Sequence, residues 1–445
     1  MMETPLELFA RLFPDSGAPR TVRAPGRVNL IGEHTDYNGL PVLPMAITRG
    51  VRALFSPRGD GRICLRNLDP AFPDTAFMNA ADIAPSAPGA WDNYVKAAVL
   101  GVRGMFPDAP TAGMNLLVGS DLPAGAGLSS SSALVVASAM ALLDTLGRAP
   151  ETLEERTRLA SVLAEAEHFV GTRGGGMDQA VILLGEAGHA CKIDFFPLRA
   201  ARAPLPEDCA VVVCDSMVKA EKSGAARARY NLNPRLCALA CALTRAQLRE
   251  DFGEDVPLER LGDLWHGPLC LTTREAEALF ARAVPAPRAT VDDAARRLRM
   301  TPDEVRARWL DGLPEPEGGF DLAARLRHQA GEHRRVEHAR DALLANDPES
   351  FGRLMAASHE SCRDNLQVSC PELDMLVEDA LAEGALGARL TGAGFGGATV
   401  NLVWRNRAED FIEAMARRHY RDRRGHTGPA PAFIAEAGPG ARIEC

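Results

Sequence analysis

The chain has no C-x-x-C pair, although it carries 10 cysteines. Structural zinc and thioredoxin-type chemistry therefore lack their usual spacing. Cys237 and Cys241 could face each other along a helix, but without clustered histidines they read as core thiols. Free thiols in a chain of this size point to a reducing cytosol. No apolar run is long: the most apolar stretch, Ala133 to Leu143, stops at Asp144 and falls well short of the roughly 20 residues that span a bilayer. The opening Met-Met-Glu-Thr-Pro shows neither the basic patch nor the apolar segment of a signal peptide. Positive charge is not in excess: the net charge is -9, which argues against nucleic acid as a partner. The one basic run, Arg417 to Arg424, reads as a solvated helix end. No G-K-[ST] follows the glycine loops, so a Walker A site is excluded. No period of 20–50 residues recurs, which excludes a solenoid.

What is present suits two lobes, the default for 445 residues. Residues 21–31, 41–55 and 113–118 read as strands. A glycine-rich turn at 119–127 then leads into a helix from about Ser130 to Leu146. Thr152 with Glu155 forms a capping box. The helix behind it shows Leu159, Val162, Leu163, Ala166, Phe169 and Val170 at a period of 3.6 residues and ends at Gly171. The Pro-rich stretch 202–208 marks the lobe boundary, giving lobes over 1–203 and 204–445. Cys209 to Cys214 reads as a buried strand, and 235–345 as a charged, mostly helical insertion. Thr301-Pro-Asp-Glu304 caps one of its short helices. A later helix begins at Ser369-Cys-Pro-Glu372, with Leu373, Leu376, Val377, Ala380 and Leu381 on one face. Strands return at 388–391, 397–404, 431–435 and 441–444. The fold class is α+β.

Four constellations carry chemistry. Pro25 to Tyr37 sets Arg27, Glu33, His34 and Asp36 beside Gly26 and Gly32. That many polar tips suit a pocket for a small polyhydroxylated molecule, whose hydroxyls need donors and acceptors. Leu122 to Ala133 carries Gly125 and Gly127, where the backbone can pass close to a ligand. The serines Ser129 to Ser132 then open a helix, whose free N–H groups favour an anion. A turn and helix cap is the plainer alternative. Gly174-Gly-Gly-Met-Asp-Gln179 delivers one carboxylate, Asp178, from a sharply turning backbone; a simple cap is its alternative. Thr391 to Thr399 is a glycine loop between strands, open to close approach by a ligand or another backbone.

These segments resemble the motifs of the galactokinases, members of the GHMP family of small-molecule kinases. Pro25 to Tyr37 resembles their sugar signature, and the 122–133 run their phosphate loop, P-x-G-x-G-L-S-S-[SA]-[SA]. Gly174 to Gln179 resembles G-[IG]-M-D-Q, Trp91 to Lys96 resembles W-x-N-Y-V-K, and His359 to Asp374 matches a helical signature. The likeness covers nearly the whole chain. It implies a two-lobed GHMP kinase fold, with a ribosomal-protein-S5-like first lobe containing a left-handed β-α-β crossover. A ferredoxin-like second lobe with helical insertions follows.

The activity the resemblance implies is transfer of the ATP γ-phosphoryl to the anomeric hydroxyl of galactose, with Mg²⁺. Asp178 is then the base and Arg27 its partner. Glu33, His34, Thr35, Asp36, Gly175 and Tyr230 bind the sugar. Trp91, Gly125, Ala126, Gly127, Leu128, Ser129, Ser130, Ser131 and Lys222 bind the nucleotide, and Ser131 with Glu167 binds the metal. The expected form is a cytosolic monomer. The triple glycine and the helices around 291–310 look closest to the branch containing yeast galactokinase and human N-acetylgalactosamine kinase, whereas Thr35 and Asn38 lean to ordinary galactokinases. N-acetylgalactosamine kinase is therefore the rival reading. A non-catalytic sensor of galactose and ATP is the remoter one, set against the intact serine loop.

Overall fold

A computed structural model of the chain describes residues 3–123, 125–171, 174–219, 224–253 and 255–444. The first lobe is built on a sheet of β1 (Arg20–Ile31), β2 (Leu43–Arg58), β3 (Arg62–Asn67), β4 (Thr75–Met78) and β5 (Gly113–Ser120). A ribbon of β6 (His189–Asp194) and β7 (Arg199–Pro204) follows. The second sheet holds β8 (Cys209–Asp215), β9 (Gly387–Thr391), β10 (Ala398–Trp404) and β11 (Ala432–Ala435), and β12 (Arg442–Glu444) ends the chain. The first sheet runs β12-β1-β2-β5-β3-β4 and the second β11-β8-β10-β9. The second is antiparallel throughout, whereas β3 and β5 of the first run parallel.

One face of the first sheet is covered by the helices Asp92–Met105, Ser130–Thr145, Leu153–Ala166 and Met177–Leu184. The Ser130–Thr145 helix is buried all round from Ser132 to Leu143, as a helix with no polar face must be. The far halves of β1 and β2 supply a second core: Val28, Leu30, Met45 and Ile47 pack with Val211, Val213, Val400 and Leu402 of the second sheet. The lobes thus share apolar contact along the seam. The insertion has its own core around Leu243, Leu264, Phe280, Val291 and Leu326. Both of its short helices predicted near 291–309 are present, the second with the Thr301–Glu304 capping box.

Two expectations are corrected, for residues 441–444 and for Leu381. Residues 441–444 do not add to the second lobe: Thr21, Val22 and Arg23 pair with Glu444, Ile443 and Arg442, which covers an edge of β1 that would otherwise be exposed. The Pro-rich stretch 202–208 begins within β7, which is paired along its length with β6, and leads into β8. Leu381 is 40% exposed. Asp379 of the same helix is buried and accepts from Arg418 Nε at 2.9 Å and His419 Nδ1 at 2.8 Å. The basic run is a solvated helix end, as expected: Arg417, Arg418, Arg421 and Arg423 are exposed, while His419 and Tyr420 between them are buried and Arg423 pairs with Asp379 at 3.0 Å.

Candidate active site

β1 breaks register between Pro25 and Arg27 and turns its second half toward the seam. The Arg27 amide donates to Leu128 O at 3.1 Å and its Nη1 to Gly127 O at 2.6 Å, so this strand carries the glycine-serine loop 122–133. The remaining guanidinium donors reach Asp178, Nε to Oδ1 at 2.7 Å and Nη2 to Oδ2 at 3.2 Å. Asp178 sits in the first turn of the Met177–Leu184 helix, where the dipole favours an anion, and also accepts from the Ser129 hydroxyl. Burial works against the charge on Arg27, yet Asp178 outweighs it and the pKa is raised.

Around this pair lies a pocket lined by Glu33, His34, Asp36, Ser132, Glu167, Gly174, Gly175, Asp178, Tyr230 and Gly392. Glu33 Oε2 accepts from Arg389 Nη2 at 3.0 Å and Gly392 N at 3.2 Å. Burial pushes the Glu33 carboxyl up against the pull of Arg389 and Arg27. His34 is made harder to protonate, first by burial, so it is a neutral ring; its Nε2 lies 3.2 Å from Ala393 O. Asp36 Oδ2 accepts from Gly175 N at 3.1 Å and Met177 N at 3.3 Å. Its pKa is raised by burial and then by facing Asp178. Tyr230 stands over His34, ring centres 5.8 Å apart, and burial raises its phenol. Gly175 has to be glycine: a Cβ there would lie 2.2 Å from Tyr37 N.

A larger cleft of about 560 Å³ opens beside the first. It is lined by Trp91 and Phe72 and by 125–131, which includes Gly125, Ala126, Gly127, Leu128, Ser129, Ser130 and Ser131. Ser129 adopts φ 60° and makes no side-chain cap to the Ser130–Thr145 helix, so the N–H groups of that first turn are available to an anion. The 391–399 loop closes from the second lobe; a Cβ at Gly392 would come within 2.7 Å of Gly127 O. Apolar walls with a cluster of amides at one end suit a nucleotide.

Three predicted residues stand differently. Thr35 is fully buried, and its hydroxyl donates to Gly32 O at 3.1 Å and Pro41 O at 3.0 Å. It shapes the loop and does not line the pocket. Ser131 faces the larger cleft and the Tyr94 phenol. Ser132 is the serine beside Glu167, with its hydroxyl 3.1 Å from Oε1. One helical residue step, about 100°, separates the two, which motif spacing alone could not resolve. Lys222 lies outside the described residues.

Two partners escaped the sequence reading. Gln179 Nε2 donates to Glu167 Oε2 and so orients it. Arg389 is a fully buried cation in β9, which ties Glu33 to the second lobe. Its signal was a lone arginine in a short strand next to the 391–399 glycines. For a metal, the described residues hold no group of three or more His, Cys, Asp or Glu. Mg²⁺ does not require one, since it is bound through one or two carboxylates together with substrate phosphates. Glu167 and the Ser132 hydroxyl are hard oxygen donors of the right kind.

A β-rich first lobe, an antiparallel second lobe and a phosphate loop over a polar pocket define a small-molecule kinase of the GHMP type. Models for the GHMP kinase N-terminal domain and C-terminal domain match residues 93–186 and 339–422. The galactokinase galactose-binding signature matches 7–57. Galactokinase from Roseiflexus sp. (strain RS-1) is 37% identical over 421 residues, 94% of this chain and 91% of the relative. Human galactokinase is 36% identical over 434 residues, 95% and 92% of the two chains. The crystal structure of Lactococcus lactis galactokinase complexed with galactose superposes with a TM-score of 0.79 at 27% identity, covering 98% of each chain. That of Methanococcus jannaschii mevalonate kinase, at 15% identity, TM-score 0.58 and 95% and 99% coverage, shares the fold. The chain belongs to the galactokinase family. No helix among its described residues is long and apolar enough to cross a membrane.

Proposed function

We propose that this enzyme transfers the γ-phosphoryl group of ATP to the anomeric C1 hydroxyl of D-galactose, giving galactose 1-phosphate and ADP. One observation carries the reading: Asp178 lines the polar pocket, and its hydrogen-bond partner Ser129 lines the nucleotide-sized cleft. A carboxylate at that junction can accept the C1–OH proton while the C1 oxygen attacks phosphorus and the bond to the β-phosphate oxygen breaks. Arg27 keeps Asp178 ionised and offsets the negative charge that develops on the transferring group. Glu33, His34, Asp36 and Tyr230 grip the remaining hydroxyls and fix the attacking oxygen in line. Gly175 contributes by holding Asp36. The loop 125–131 and Trp91 hold the nucleotide. Mg²⁺, held by Glu167 with Ser132, would neutralise charge on the phosphates.

The lobes of this reading are 1–203 with β12 added, and 204–441. The buried free thiols support a reducing cytosol, and the enzyme works there as a monomer. A second reading rests on space. A Cβ at Gly174, in the pocket wall, would meet only Tyr230 Oη at 3.9 Å, which is room for a bulkier C2 substituent such as that of N-acetylgalactosamine. A coupled assay of ADP release with galactose, N-acetylgalactosamine, glucose and arabinose tests both. Galactose should give the highest kcat/KM; preference for N-acetylgalactosamine would install the second reading, and turnover with neither would reject both.

A further inference from the structure

The segment that carries Glu33 and His34 has a backbone it could not hold unaided. Gly32 lies at φ +94° and His34 at φ +58°, the latter in the left-handed region that a residue with a Cβ disfavours. A Cβ at Gly32 would come within 2.7 Å of Val42 Cα. Besides Thr35, Asn29, Arg389 and the Gly392 amide, one turn of the Leu322–Leu344 helix in the second lobe holds the segment's own backbone groups. His328, Gln329 and Glu332 lie on one face of it, at i, i+1 and i+4.

His328 Nε2 is 2.9 Å from Glu33 O, and its Nδ1 is 2.9 Å from Ser361 Oγ. A carbonyl can only accept, so Nε2 carries the proton and Nδ1 takes the serine hydroxyl. Gln329 Nε2 donates to His34 O at 2.9 Å. Glu332 Oε1 accepts from Gly32 N at 2.9 Å, Glu33 N at 3.3 Å and Ser358 Oγ at 2.5 Å, while Oε2 takes Arg335 Nε at 2.6 Å. Burial alone would push this carboxyl up, but Arg335 foremost holds it down at about 2, so it is a permanent anion. None of the three side chains lines the pocket.

We propose that Glu332, with His328 and Gln329 beside it, is a positioning residue for the sugar: it clamps the Gly32–Glu33 amides from behind and so aims the Glu33 and His34 side chains at the substrate. This rests on the galactose reading above. The clamp grips only the sugar segment, while the nucleotide cleft is lined by other elements. Its loss therefore falls on one substrate and not the other.

The test is steady-state kinetics of the full chain, with galactose and ATP each varied, on wild type, E332A, E332Q and Q329A. E332A should raise the galactose KM at least about tenfold, the loss of roughly one charge-assisted hydrogen bond, with the ATP KM changed less than about twofold. E332Q keeps one acceptor oxygen and should fall between wild type and E332A. Q329A frees His34 O and gives up a weak contact to Cys237 Sγ, and should raise the galactose KM a few-fold. Should E332A not fold, the last two variants carry the same prediction. Equal rises in both KM values, or a lowered melting temperature with both KM values unchanged, would overturn it. The four-sugar assay on wild type comes first. Its failure sinks the functional reading, whereas an active wild type whose variants show no KM split sinks only this inference.

Discussion

Arg27 and Asp178 lie 151 residues apart in the chain and are joined by two hydrogen bonds, of 2.7 and 3.2 Å, in a fork-on-carboxylate geometry. Arg27 is 3% exposed and Asp178 17%. The pair is therefore dry on the arginine side and open to the pocket on the carboxylate side. A carboxylate gripped by two guanidinium donors is held in one orientation.

Asp178→Asn should lower kcat by about 10²–10⁴ while galactose still binds. The asparagine retains the shape and an acceptor for Arg27 but cannot take the proton. Single-turnover phosphoryl transfer with galactose binding followed by calorimetry checks this, and a variant with near-normal turnover would remove Asp178 from the role of base.

Asp36→Ala should raise the galactose KM far more than the ATP KM, because it removes an acceptor from the polar pocket and leaves the Gly175 and Met177 amides unpaired. The cost should be about 1–3 kcal/mol. The pH dependence has a definite sign. The Asp36 pKa is raised above its ordinary 3.8, first by burial, so protonation sets in at higher pH than for a surface aspartate. The galactose KM of wild type should climb as pH falls, beginning above that value. A KM flat to pH 4 would contradict it.

Ser131→Ala and Ser132→Ala should part company. Ser132 adjoins Glu167, so its loss should raise the Mg²⁺ concentration needed for half-maximal rate several-fold. Ser131, in the cleft wall, should act chiefly on the ATP KM. Titrating Mg²⁺ at saturating ATP separates the two, and the reverse pattern would restore Ser131 as the metal serine.

Three buried histidines, His328, His333 and His359, are each held from an ordinary 6.5 down to about 4, first by burial. Unfolding lets them take up protons. Each therefore contributes stability that is present above about pH 6.5 and lost as pH falls toward about 4. The melting temperature should be level from pH 8 to 6.5 and then decline steadily. A profile level down to pH 4.5 would show that these rings are not neutral in the fold.

Much of this was legible because local chemistry speaks for itself. Both capping boxes appear where Thr152–Glu155 and Thr301–Glu304 predict them. The long strands and the serine-opened helix fall within a few residues of their apolar patterns. Less legible were elements whose sequence is ambiguous alone, such as β7, where exposed arginines and alanines pair only because β6 lies alongside. Side-chain direction was least legible. Thr35 turns inward because Gly32 O and Pro41 O lie within reach, and Ser132 rather than Ser131 meets Glu167. Those outcomes depend on residues far away in sequence, as does Arg389, whose partner Glu33 is 356 positions earlier.

The pairing of β12 with β1 has a consequence during synthesis. The opening strand of the protein carries Arg27 in its second half and waits for its outer neighbour until residue 444 has left the ribosome. A nascent chain can assemble its helices and most of its hairpins, yet one rim of the first sheet stays open to any other strand in the vicinity. Chaperone dependence and aggregation in this enzyme should therefore concentrate in chains that stall late, after the catalytic parts already exist.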